Sequence, residues 1–116
     1  MLVTEEQRVA MLANGRDYAR NPHFNPQPVV KLFDPLGGAT WLLTDLDPDE
    51  PDVASGLCDL DMGYPELGSV RLSELEAIGT LPNRGGIGIE RDRFFRPRMT
   101  ISEYADEARR KPRITV

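Results

Sequence analysis

The chain is short of the residues that most enzyme chemistry draws on, with one cysteine (Cys58), one histidine (His23) and one tryptophan (Trp41) among 116 residues. A lone cysteine excludes an intramolecular disulfide, and with it a disulfide-stapled scaffold, so the composition fits a reducing, cytoplasmic setting. Zinc sites need several Cys or His ligands, and that set is missing. In GLCDLDM, Cys58 shares an alternating face with Leu60, the pattern of a buried thiol rather than a nucleophile. His23 sits between Pro22 and Phe24 and reads as a surface or capping residue. No apolar run approaches the ~18 residues of a membrane span. The opening MLVTEEQRVAML places two glutamates where a secretory leader carries positive charge. Gly85-Gly86-Ile87-Gly88 has no lysine-serine pair after it and leads into strand-like residues, so it reads as a turn rather than a phosphate loop. The expectation is a protein without catalytic residues, cofactor, metal or membrane association.

What is present suffices for one core. At 40% hydrophobic and 28% charged, a chain of this length makes a single globular domain. Three sites carry a Ser or Thr followed three residues later by Glu or Gln, the box that caps a helix N-terminus: Thr4 with Gln7, Ser73 with Glu76, and Thr100 with Glu103. They predict a helix over about 4–20, a short one near 73–79 and another over about 101–111 that ends at Pro112. Residues 21–28, NPHFNPQP, read as a linker. Between linker and last helix the pattern turns extended, with strands at 28–33, 40–46, 55–61, 67–72 and 87–95. DPDEPDVA separates the second from the third and suits an exposed hairpin tip. Short connections make the sheet, spanning about 28–95, mostly antiparallel. The expected fold is α+β, a single domain over 1–116 with about five strands and both terminal helices packed on one face, in two layers.

Charge is unevenly distributed. Residues 1–33, 34–76 and 77–116 carry +1, −10 and +4, which together make the net −5. Asp45, Asp47, Asp49, Glu50 and Asp52 crowd the expected hairpin tip. Asp45-x-Asp47-x-Asp49 imitates the opening of a calcium loop, but Glu50 stands where glycine is needed and Gly56 where a bidentate glutamate belongs. A solvated tip partly neutralised by C-terminal arginines, an acidic surface for a basic protein partner, and a metal-dependent hydrolase site are three readings of this cluster. Trp41 and Tyr64 are its candidate aromatic anchors. The basic counterpart is ERDRFFRPR, where Arg91, Arg93, Arg96 and Arg98 interleave with Phe94 and Phe95, a combination suited to phosphates and bases.

The runs PVVKLFDP, GATWLLTDLDPDEPD, GLCDLDMGYPELGSVRLSEL and IERDRFFRP together resemble a bacterial family of small proteins classed as a domain of unknown function and carried on conjugative plasmids and other mobile elements. The resemblance spans the chain from first helix to last and implies a setting rather than a reaction. The reading that follows is a cytoplasmic, non-catalytic, monomeric accessory protein of a mobile element. It binds an unidentified protein partner through Asp45, Asp47, Asp49, Glu50, Asp52, Trp41 and Tyr64. The alternatives are nucleic-acid binding through Arg91, Arg93, Arg96 and Arg98, and the hydrolase.

Overall fold

The computed structural model describes all 116 residues. Three helices, α1 (Glu5–Arg20), α2 (Leu72–Ala77) and α3 (Ile101–Arg110), surround five strands, β1 (Val30–Phe33), β2 (Thr40–Leu46), β3 (Val53–Asp59), β4 (Glu66–Arg71) and β5 (Glu90–Arg91). The strands form one sheet in the order β4-β3-β2-β1-β5, every neighbouring pair antiparallel. The α+β class, the antiparallel sheet and the two terminal helices are as expected.

The layering is not. Trp41, Leu43 and Leu46 of β2 pack with Met11 of α1 and Leu72 and Leu75 of α2, whereas Leu42 and Leu57 pack with Ile101, Tyr104, Ala105 and Ala108 of α3. Successive strand residues point to opposite faces, so α1 and α3 lie on opposite sides of the sheet and the molecule has three layers. Consecutive Trp41-Leu42-Leu43 is the signal of a strand buried on both faces, and it outweighs the alternating pattern that a two-layer fold requires.

The hairpin joining β2 to β3 forms at DPDEPD, with β3 starting two residues earlier than expected. Its register slips between Leu43 and Asp45, leaving Thr44 as the extra residue of a bulge. α1 is fitted to that bulge. The Asn14 side-chain amide donates to the Thr44 carbonyl at 2.8 Å, and a β-carbon on Gly15 would overlap the Leu46 carbonyl oxygen. Asn14-Gly15, which weakens an isolated helix, is therefore a point of close approach between α1 and the sheet. It also sets the inner face of the helix as Met11 and Gly15, leaving Val9 exposed.

Two local expectations fail for identifiable reasons. The box at Ser73 and Glu76 does not form, because Ser73 lies inside α2 and its N–H and hydroxyl donate to the Asp52 carboxylate at 2.9 and 2.5 Å. The expected strand over 87–95 shrinks to Glu90–Arg91. Beyond it the Asp92 carboxylate accepts from the Phe94 N–H at 2.9 Å and turns the chain out of the ladder, and Pro97 has no N–H to donate. The linker after α1 docks on α3: Pro26 O accepts from Ile101 N at 2.8 Å and Asn25 bonds Ser102. Thr4 and Thr100 start α1 and α3 as expected, with Gln7 and Glu103 reaching back to their N–H groups.

Candidate partner-binding site

The five acids of the hairpin divide into three environments. Glu50 and Asp52 lie beside Arg71, with Glu50 in hydrogen-bond contact at 2.8 Å, and Asp52 also anchors α2 through Ser73. Hydrogen bonds from Ser73, and then the Arg71 charge, hold the Asp52 carboxyl below its ordinary range. These two are occupied in holding the hairpin to α2. Asp47 and Asp49 are exposed at the tip and form no ion pair; the Asp47 carboxylate accepts from the Asp49 N–H at 2.9 Å. Neither neutralises a C-terminal arginine: the screening cation is Arg71, which precedes α2.

Asp45 belongs to none of these groups. The bulge turns it onto the α3 side of the sheet, where it is only 9% exposed and has no cationic partner. One oxygen lies 2.6 Å from the Thr44 hydroxyl, which is itself 3.1 Å from the Ser55 carbonyl. A hydroxyl carries one proton, which Thr44 shares between these two acceptors when Asp45 is ionised and gives to Ser55 alone when a protonated Asp45 donates to it. Burial pushes its carboxyl above the ordinary range; the Thr44 hydrogen bond opposes this and the Asp47 charge adds to it. The second carboxylate oxygen bonds to no protein group and is not sealed from solvent.

Asp45 lines two clefts of about 470 and 720 Å³, which also share Tyr18, Ser55 and Ser69 as lining. The smaller is closed by Thr44, Leu67 and Ile101; the larger runs out between Arg16 and Arg20 of α1 and Asp47 and Asp49 of the tip. Tyr18 is placed by α1 and by an edge-to-face contact with Phe24 at 5.1 Å. Burial first, then the neighbouring Asp45 charge, raises its phenol above the ordinary range. A desolvated carboxyl, a phenol and three hydroxyls, with exposed acids at the mouth, form a hydrogen-bonding cleft that favours a donor or a cation.

A model of a family described as "Protein of unknown function (DUF2958)" matches residues 2–115. The chain belongs to the DUF2958 family. No curated protein and no solved structure matches it.

The DUF2958 fold brings together only part of the residue set expected from sequence. Trp41 is 4% exposed, packed against the α1 layer, and offers no surface for a partner. Tyr64 is 77% exposed, in the loop between β3 and β4, and lines neither cleft. Nothing in the residue pattern marks Tyr18, Ser55 or Ser69 as members of the site, because they come from three separate elements. The one sequence signal near them is Asn14-Gly15, whose close fit to the bulge seats the C-terminal half of α1. No three His, Cys, Asp or Glu side chains converge in this DUF2958 chain as metal ligands. Burial raises the Cys58 thiol above its ordinary range, and no helix is long and apolar enough to cross a membrane.

Proposed function

We propose that this DUF2958 protein is a non-catalytic accessory protein of mobile elements that holds a basic segment of a protein partner at the hairpin end of its sheet. The observation that carries the reading is Asp45, a residue nine-tenths buried without a countercharge that lines a cleft together with exposed Asp47 and Asp49. A buried carboxyl lacking a cation is costly to ionise, and an arriving lysine or arginine removes that cost. Exposed Asp47 and Asp49 supply the longer-range attraction that speeds encounter with a basic partner. Glu50 and Asp52 support the hairpin rather than touch the partner. Arg16 and Arg20 on the opposite wall limit the mouth to partners whose cations approach along the hairpin.

Affinity capture from the host cell tests the reading. D47K/D49K abolishes recovery of the partner, while E76K, an exposed acid on α2, leaves it intact. An identical set of captured proteins for wild type and D47K/D49K refutes the proposal.

A further inference from the structure

A second surface lies where the chain leaves β5. Phe94 is 87% exposed, a large cost for an aromatic ring with no partner, and it is held out by the turn in which its N–H donates to the Asp92 carboxylate. On either side stand Arg93 and Arg96, both exposed and in no ion pair. Arg96 donates only to the neighbouring Phe95 carbonyl, and Arg93 forms no side-chain bond at all. Arg98 is likewise exposed and without an acidic partner. Arg91 is different: it is half-buried and donates to the Leu2 carbonyl, a structural role. Two clefts of about 410 and 220 Å³ flank the segment; both are lined by Arg93, and Phe94 borders one and Arg96 the other.

The geometry points to a single-stranded nucleic-acid contact, with a base stacked on Phe94 and the adjoining phosphates held by Arg93 and Arg96. A ring presented edge-free to solvent between unpaired guanidiniums matches the stacking and phosphate contacts by which single strands are bound without sequence preference. A duplex keeps its bases stacked inside and offers this ring nothing, and the chain's net −5 gives no general attraction to DNA. The surface is separate from the acidic cleft and independent of its reading.

Fluorescence anisotropy with a labelled oligothymidylate of twenty nucleotides, a duplex of equal length and a poly-glutamate peptide tests the assignment with the full chain. At low salt the single strand binds and the duplex binds more weakly. F94A weakens single-strand binding by about 5- to 150-fold. R93A/R96A lowers the slope of log affinity against log salt by about 1.4, from two lost phosphate contacts. D47K/D49K does not weaken it. Circular dichroism confirms that each variant is folded; both sites are exposed, and F94L supplies a second folded comparison that also weakens binding. No single-strand binding at low salt overturns the proposal. So does F94A binding that matches wild type, or poly-glutamate binding as tight as the single strand, which assigns the patch to charge alone.

Discussion

Gly15→Ala should destabilise the fold, although the same change stabilises most helices. Alanine gains about 1 kcal/mol over glycine in a helix interior because less backbone entropy is lost on folding. At residue 15 the added β-carbon meets the Leu46 carbonyl oxygen and lies close to Pro48, and backbone oxygen has no rotamer by which to move aside. Overpacking of this kind costs about 1–3 kcal/mol. If α1 lifts to relieve it, the Asn14 to Thr44 hydrogen bond is stretched, and losing a partner for a buried carbonyl costs a further 1–3 kcal/mol or so. With both costs set against that gain, the balance is a loss of about 1–5 kcal/mol, or about 4–20 °C in Tm for a domain of this size. Thermal and urea unfolding followed by circular dichroism measures it. Ala10→Gly, at an exposed position of the same helix, serves as the control and loses only about 1 kcal/mol. A Gly15→Ala protein that melts at or above the wild-type temperature refutes the close approach of α1 to the bulge, and with it the seating of Tyr18 beside Asp45.

Two further predictions test the layers and the buried carboxyl. Leu42→Ala and Leu43→Ala should each cost about 2–5 kcal/mol, but hydrogen exchange should quicken chiefly in α3 for the first and in α1 for the second; the same pattern in both variants contradicts the three-layer core. Asp45 has a folded-state carboxyl raised by burial, so folding favours its protonated form, and its ionisation removes stability as pH rises from the ordinary aspartate value of about 4 through the folded value. Asp45→Asn should therefore match wild type below pH 4 or so and exceed it at neutral pH, as read from urea midpoints across the range; a variant less stable than wild type at pH 7 contradicts an uncompensated carboxyl.

Much of this architecture was legible locally. Thr4 with Gln7 and Thr100 with Glu103 mark helix starts whose hydrogen bonds close within a few residues, so no distant partner competes for them. DPDEPD marks the β2–β3 hairpin because two prolines and four acids cannot continue a ladder. The failures arise where a distant group wins. Ser73 has the spacing of a cap, yet Asp52 reaches it across the hairpin and draws it into α2. Arg91 to Phe95 alternate like a strand, but β1 has only four residues to pair with, and the Asp92 side chain makes a turn instead. The candidate site was half-legible: Asp45, Asp47 and Asp49 were visible as a charge cluster, while a one-residue bulge, which no composition or period reveals, buries Asp45 and brings Tyr18, Ser55 and Ser69 to it.

We propose that the two charged surfaces act separately, the acidic cleft on a protein and the arginine segment on a nucleic acid. The most direct measurement is affinity capture from the host cell with protein and nucleic acid recovered from the same eluate, for wild type, D47K/D49K and R93E/R96E. D47K/D49K should lose the protein partner and keep the nucleic acid, and R93E/R96E should do the reverse. Loss of neither component in D47K/D49K, or the same losses in both variants, contradicts it.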